Sequence, residues 1–528
     1  MILTWLIVIP AIGGALAWLA AAVRPALARW IALAACALDL ALGLNLYAGL
    51  GAHWLLDAFY IEQRAPWIPH LGISYHLALD GVSLLLVLLT AFLGMVAVAC
   101  SWREITSRVG AFHFSLLAVL TGVTGVFLAR DLLLFYFFWE LMLVPMYFLI
   151  GVWGHERRVY AAMKFFLFTF ISSLLMLAAI LALVFLHAGA TGVTTFDARA
   201  LMTTPLAPAA AIWIMLGFFV AFAVKLPAVP LHPWLGDAHT EAPTGGSVLL
   251  AGLLLKTGAY GMLRFAVPLF PQTLSSFAPI ALVLGVVGIL YGAMLAFAQT
   301  DFKRMVAYSS ISHMGFVLLG IYVGNQVALQ GAMIQIIAHG LGTGALFVLS
   351  GSILERCGTR DLGRLGGLWA TAPRLGGFVV FFAMAALGLP GLASFLGEFL
   401  VLLGAYQVSV TLAAVASAGF VLSTVYALRL VQESVHGPNR ERWRVPDLSA
   451  RELVTLGAMA AILIWLGFMP RPVFQAARAA LVSPQHQPAQ VAPLSVRSEF
   501  VGRGFTSAPT SARRNARPTV APIAESQP

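Results

Sequence analysis

The stretch Ala211-Ile-Trp-Ile-Met-Leu-Gly-Phe-Phe-Val-Ala-Phe-Ala-Val-Lys225-Leu-Pro-Ala-Val-Pro230 decides how this chain folds. It is an apolar run that starts near residue 208, ends in a lysine and then meets two prolines, the mark of a membrane helix interrupted part way across. Comparable runs of about 20 residues, the length that crosses a bilayer, recur almost from end to end. Of the 528 residues 60% are hydrophobic and only 10% charged, where a soluble globular domain has roughly half and a quarter. A soluble protein is excluded, and no stretch is left for a sizeable soluble domain. The expected fold is an all-α polytopic membrane protein of about 14 transmembrane helices, starting near residues 2, 26, 77, 111, 131, 161, 208, 245, 277, 303, 329, 376, 408 and 452.

Three cysteines, Cys36, Cys100 and Cys357, stand far apart and never in a Cys-x-x-Cys spacing, so no iron-sulfur, thiolate-zinc or disulfide framework is expected. No G-x-G-x-x-G or P-loop motif signals nucleotide chemistry. The net charge of +10 does not point to nucleic acid, because five positive charges lie in the last 45 residues and most others in short loops between apolar runs. In a membrane protein such charges set topology. Loops after odd-numbered spans hold 17 basic residues, and the bounded loops after even-numbered spans hold four, Arg64, Arg130, Arg199 and Arg264. Odd loops then face the cytoplasm and both termini lie on the outer side of a bacterial inner membrane. The first run, Ile2 to Ala22, has no basic lead and no cleavage site, and reads as a retained helix. The polar stretch from His53 to Tyr75, with Asp57, Glu62, Arg64, Pro66 and Pro69, reads as a long loop.

A second break, Gly388-Leu-Pro390-Gly391, interrupts span 12 as Lys225 to Pro230 interrupts span 7. If spans 4 to 8 and 9 to 13 form two units, each break falls in the fourth helix of its unit. Five helices per unit make the two units inverted repeats, and broken helices in matching positions point to an ion site near the midplane. The expected division is residues 1–110 for spans 1 to 3, 111–270 and 271–435 for the two five-helix units, 436–483 for the last loop and span 14, and 484–528 for a disordered basic tail rich in Pro, Ala and Arg.

A charge at the centre of a spanning helix costs about 2.5–3.5 kcal/mol on insertion scales, so each one has a compensating role. Four stand out: Glu140 in Asp131-Leu-Leu-Leu-Phe-Tyr-Phe-Phe-Trp-Glu140-Leu-Met-Leu-Val-Pro145, Lys225 at the first break, Lys256 in Leu253-Leu-Leu-Lys256, and Glu398 just beyond the second break. Glu140 and Lys225 suit either a buried ion pair that fixes helix packing or a proton path. Lys256 and Glu398 have no obvious opposite charge at their depth. Burial disfavours the charged form of each, which lets them pick up and release a proton. A neighbouring pair can tune this: one unit charge at about 6 Å in an effective dielectric near 20 is worth roughly 3 kcal/mol. His313 in span 10 and His339 in span 11 are also central, either as bonds to a neighbouring helix or as relay groups. His232 and His239 flank the first break, as relay or loop-fixing groups. Asp39, Asp80 and Asp131 read as snorkelling or capping residues near span ends.

These segments resemble a known family, the antiporter-like proton-channel subunits of respiratory complex I. The run from Asp131 through Glu140 to Phe148 resembles the family's fifth helix, and Lys225-Leu-Pro-Ala-Val-Pro-Leu-His-Pro-Trp through Lys256 its seventh and eighth. The likeness covers spans 1 to 14. A glutamate at Glu398 marks one branch, where sister chains carry lysine. The resemblance implies that Glu140, Lys225, Lys256 and Glu398, with His313 and His339 between them, form a proton relay. It implies further that NADH, FMN, iron-sulfur clusters and quinone are handled by partner subunits, with no cofactor in this chain. The implied partners are other membrane-arm subunits, including the sister antiporter-like chains, within the lipid bilayer. A cation/proton antiporter without a redox arm, a membrane-bound hydrogenase subunit and a purely structural spacer are the competing readings.

Overall fold

The computed structural model describes residues 1–49 and 60–475. The expected tail at 484–528 and residues 53–59 of the expected loop lie outside the described residues.

Thirteen helices are long and apolar enough to cross a membrane. Spans 1 to 6 are Ile2–Ala21, Pro25–Gly49, Gly81–Glu104, Val109–Leu128, Leu132–Trp153 and Arg158–Thr191. Spans 7 to 11 are Pro208–Lys225, Thr244–Leu269, Pro271–Phe297, Phe302–Val323 and Gln326–Cys357, and spans 13 and 14 are Val410–His436 and Ala450–Phe468. Span 12 is made of two shorter helices, Pro373–Ala386 and Ala393–Val408. The set matches the expected 14; the starts lie within about four residues of the sequence reading, the usual error of helix boundaries, except span 9, which begins at Pro271 and not near 277.

Both breaks are present. Span 7 ends at Lys225 and resumes as the short helix Pro233–Glu241. Between the halves of span 12, Gly388 and Gly391 take φ of 82° and 93°, a left-handed backbone that glycine adopts without a Cβ clash. Span 5 is interrupted at Met142, three residues before Pro145, whose ring removes one helical hydrogen bond. Span 8 carries two wide π turns, Leu250–Leu254 and Met262–Ala266, on either side of Leu255–Gly261. Such turns recur at functional sites.

Three sequence expectations need correction. Much of the polar stretch read as a loop is an antiparallel hairpin, β1 (Ile61–Ile68) and β2 (Ile73–Leu79), paired Ile61 to Leu79 and Gln63 to Leu77. Its inner face seats Ile73, Leu77 and Leu79 against the helices, and Ser74 donates its N–H and hydroxyl to Asp131 at 2.8 and 3.1 Å. Asp80 and Asp131 do cap spans 3 and 5, accepting from Ser83 N–H and from Leu133 and Leu134 N–H. Asp39 instead lies buried inside span 2, its Oδ1 without a hydrogen-bond partner among the described residues, so it is neither snorkelling nor capping. Arg130 and Arg264, counted as loop charges, are also buried.

Loops gather on two opposite faces. On one, the hairpin meets the 4–5 and 6–7 loops through the bridges Leu77 to Ala129 and Asp131 to Asp197. On the other, Glu104 accepts from Thr244 N–H at 3.0 and 3.1 Å, Arg360 pairs with Asp301 at 3.2 Å, and Asp447 accepts from Arg374 N–H at 2.9 Å. The odd and even loops are thereby segregated, as the charge count requires.

Candidate functional site

Lys225 ends its half-helix, where the free carbonyls of the last turn favour a cation. Its Nζ lies 4.5 Å from the centre of the Trp139 ring, a cation–π contact that shelters a buried ammonium. Glu140, next to Trp139, sits at the interruption of span 5. Among the described residues Lys225 Nζ and Glu140 Oε1 have no hydrogen-bond partner. Among the described residues the two form no ion pair, although Lys225 lies over the ring of Trp139, the neighbour of Glu140.

Lys256 stands between the two π turns of span 8 and is fully buried. Two residues on, Gly258 lies against the broken end of span 7: a Cβ there would stand 2.6 Å from Phe222 O and 2.8 Å from Leu226 N. Only glycine allows the Lys256 helix to press so closely on the Lys225 helix. Lys256 Nζ meets His339 Nδ1 at 2.5 Å and Met314 Sδ at 3.9 Å. The ammonium side of the site is thus joined to span 11 through a histidine.

Across span 12, Glu398 is held differently. Its Oε1 lies 2.6 Å from His313 Nδ1 and accepts from Gln335 Nε2 at 2.7 Å, while His313 Nε2 meets the Tyr426 hydroxyl at 3.2 Å. Gly397 makes this contact possible, since a Cβ there would stand 2.8 Å from Gln335 N. The two histidine rings cross edge to face with centroids 5.6 Å apart. Beside both rings is a cavity of about 10 Å³ lined by His313, Gln335, His339, Thr343 and Ser394 among others, and among the described residues His339 Nε2 and Gln335 Oε1 have no hydrogen-bond partner. It is about the size of one water, with the polar lining a bound water needs.

The sequence-predicted residues therefore form two groups. Lys256, His339, His313 and Glu398 make one run of contacts with a single gap, and Glu140 and Lys225 form a second, open group at the first break. Gln335 and Tyr426 were not anticipated. Gln335 stands four residues before His339, on the same helical face, which is the signal that was there to be read. His239 stacks flat on Phe347 at 4.6 Å, and among the described residues neither ring nitrogen has a hydrogen-bond partner. His232 stands at the N-terminal boundary of the half-helix Pro233–Glu241, without a side-chain capping bond, and packs edge to face on Tyr291.

On the face away from the hairpin, a polar cavity of about 260 Å³ is lined by Arg103, Glu104, His155, Thr244, Glu355 and Arg451 among others. His155, in the loop between spans 5 and 6, is pushed down to about 4 by burial, with Lys303 and Arg360 adding to the effect. It is neutral at ordinary pH. Among the described residues no group of three histidine, cysteine or carboxylate side chains is placed to hold a metal ion.

The family model described as NADH:quinone oxidoreductase/Mrp antiporter, TM, matches residues 129–424. NADH-quinone oxidoreductase subunit M of Pseudomonas aeruginosa is 53% identical over 493 residues, covering 91% of this chain and 97% of its own length. The subunit M of Escherichia coli K12 is 50% identical over 500 residues with the same coverage. A chain of respiratory complex I from Thermus thermophilus with bound NADH superposes with a TM-score of 0.80 at 35% identity, over 91% of this chain and 99% of that one. With matches spanning nearly the whole of both partners, the chain belongs to the NADH-quinone oxidoreductase subunit M family of antiporter-like membrane proteins.

Proposed function

We propose that this chain moves protons through the membrane arm of a NADH:quinone oxidoreductase by way of Glu140, Lys225, Lys256, His339, His313 and Glu398. It is a multi-pass membrane subunit of a bacterial respiratory complex, and it works in company with other membrane-arm subunits, the sister antiporter-like chains among them. Oxidation of NADH and reduction of quinone, with the flavin and iron-sulfur clusters they need, belong to partner subunits. The positive-inside rule places the hairpin face and both termini outward. The burial of Arg130 and Arg264 sharpens that argument, because it leaves Arg64 and Arg199 as the basic residues of the bounded loops on the hairpin face.

The observation that carries the reading is the contact run Lys256–His339, gap, His313–Glu398. A water in the small cavity, bonded to His339 Nε2 and Gln335 Oε1, completes it. The Glu140 and Lys225 group governs whether Lys256 holds or releases its proton, since moving a unit charge from about 6 to about 9 Å at an effective dielectric near 20 changes that balance by roughly fivefold. Spans 4 to 8 and 9 to 13 act as two inverted units, the run of contacts crossing their boundary. The polar cavity around Glu104 and His155 is the route of uptake from the opposite face.

The test is Lys256→Met in the intact complex reconstituted in vesicles. It keeps most of the side-chain volume and removes the titrating group. Proton transfer per electron is expected to fall while the complex remains assembled. An unchanged ratio and rate would take Lys256 out of the path and leave it a packing role.

A further inference from the structure

Glu398 ends the run of contacts that begins at Lys256, yet the hydrogen bonds continue past it. His313 presents both ring nitrogens to partners, Nδ1 to Glu398 Oε1 at 2.6 Å and Nε2 to the Tyr426 hydroxyl at 3.2 Å. Tyr426 comes from span 13, and all three side chains are buried. On its other side the Tyr426 hydroxyl bonds with Ser309, one turn before His313 on span 10. Ser309 donates its own hydrogen to Val306 O at 2.8 Å, so toward Tyr426 it accepts.

The two partners of the ring differ in kind. A charged carboxylate only accepts, and it holds the ring hydrogen on Nδ1, whereas a phenolic hydroxyl both donates and accepts. When His313 is neutral with its hydrogen on Nδ1, Nε2 is a bare acceptor and Tyr426 donates to it. When the ring carries a second proton, Nε2–H has to donate, and the Tyr426 hydrogen turns to Ser309. When the Nδ1 proton then crosses to Glu398, the carboxylic acid donates back to Nδ1 and Nε2–H keeps the Tyr426 oxygen as its acceptor. All three states are fully hydrogen-bonded, and they differ at Tyr426 by the rotation of one hydroxyl.

The polar groups nearby are committed elsewhere. Gln335 donates to Glu398 at 2.7 Å, Ser312 to Ile289 O at 2.8 Å and Ser310 to Val306 O at 3.4 Å. The titratable groups that face His313 are Glu398 of span 12, Tyr426 of span 13 and His339 of span 11, with Lys256 of span 8 behind His339. Span 9 meets span 10 through Gly285, Gly288 and Gly292, and the half-helix Pro233–Glu241 meets it at Tyr308, more than a turn from His313.

We propose that Tyr426 is the positioning residue that lets His313 change its protonation state, its hydroxyl turning from Nε2 to Ser309 as the ring gains a proton and back as the ring loses it. The proposal rests on the reading of His313 as a relay group. It gives Tyr426 a part in the transfer that acts through the ring, without a charge of its own.

The experiment uses the whole complex in vesicles, with initial rates of proton pumping and NADH:quinone turnover measured across pH, the pH being equal on both faces. Tyr426→Phe keeps the aromatic ring and leaves Nε2–H of the charged imidazole without an acceptor. Pumping relative to the parent complex is expected to fall roughly three- to tenfold at neutral pH, the worth of one hydrogen bond, and to recover when the pH is lowered by about one unit, since a tenfold change in an ionisation corresponds to one unit. Ser309→Ala removes only the second resting place of the hydroxyl hydrogen and shifts the profile the same way by about half as much. A Tyr426→Phe complex that keeps the parent's pH profile refutes the proposal, even if its rate is lower at every pH, because a packing role lowers the rate without moving the profile. Should Tyr426→Phe fail to assemble, Ser309→Ala decides: an acid shift supports the proposal and an unmoved profile refutes it. His313→Gln separates the proposal from the relay reading. Normal pumping in His313→Gln takes His313 out of the relay and the role of Tyr426 falls with it. If His313→Gln is slowed and adding Tyr426→Phe costs nothing more, Tyr426 acts through the ring; a further loss in the double variant overturns the present proposal alone and leaves the relay standing.

Discussion

The two broken helices hold their charges in opposite ways. At the first, Lys225 sits on the end of its half-helix over Trp139, and among the described residues neither Lys225 Nζ nor Glu140 Oε1 has a hydrogen bond, the Glu140 carboxylate being held only through Ser173. At the second, Glu398 is gripped by His313 and Gln335 at 2.6 and 2.7 Å. An open pair can change its separation at small cost, whereas a gripped carboxylate stays in place until a proton moves. In the proposed relay the first break would set the affinity of Lys256, and the second would receive what Lys256 gives up.

The largest effect is expected where no neighbour can stand in. Glu140→Gln and Lys225→Ala should each lower quinone-linked NADH oxidation and pumping together on the order of a hundredfold, the low end of what a positioned proton-transfer group contributes, in a complex that still assembles. Normal turnover in assembled Glu140→Gln would end the contrast between the breaks. Glu140→Asp keeps the charge with a shorter reach, and because the pair is open its loss should be only a few-fold.

Glu398→Gln comes next. It retains volume and one hydrogen bond but exchanges no proton, so the proton-to-electron ratio should drop. Glu398→Lys restores a titrating group and should recover part of the loss. Equal ratios in all three proteins would return Glu398 to a structural role.

The histidines follow. His339→Ala and His313→Ala should each slow pumping by less than roughly tenfold, since water can bridge one missing ring at little cost, while the double change should approach Glu398→Gln. Additive, mild behaviour in the double variant would show that the rings do not lie in series.

The smallest expected effect is at Gln335. Gln335→Leu removes one of the two grips on Glu398 and one partner of the small cavity, and should cost two- to threefold in rate, on the scale of a single net hydrogen bond of about 0.5–1.5 kcal/mol. A loss as deep as that of Glu398→Gln would mean that the amide itself carries the path.

Periodicity and cost made most of this visible in the sequence. Apolar length gave the spans, proline and glycine gave the breaks, and the penalty for an intramembrane charge singled out Glu140, Lys225, Lys256 and Glu398. What escaped depends on partners remote along the chain. The hairpin needed Ser74 to find Asp131, and its prolines and charges looked like loop residues. Gln335 bears no charge and so incurs no large insertion cost, which hid it beside His339. Arg130 and Arg264 looked like loop charges because a linear reading cannot see that both turn inward to Asp80.

Span 8 also bears on how the protein reaches the membrane. It is the least apolar of the thirteen long spans and wholly enclosed by protein, with Lys256 near its middle and Arg264 toward its end. On leaving the ribosome it meets lipid before spans 10 and 11 exist to enclose it, and a lysine at mid-bilayer alone opposes insertion by about 2.5–3.5 kcal/mol. The groups that meet the lysine in the finished fold, Met314 on span 10 and His339 on span 11, are thus synthesised after the segment that carries it. The residue on which the proposed relay turns is thus also one whose enclosure is completed only by helices synthesised after its own.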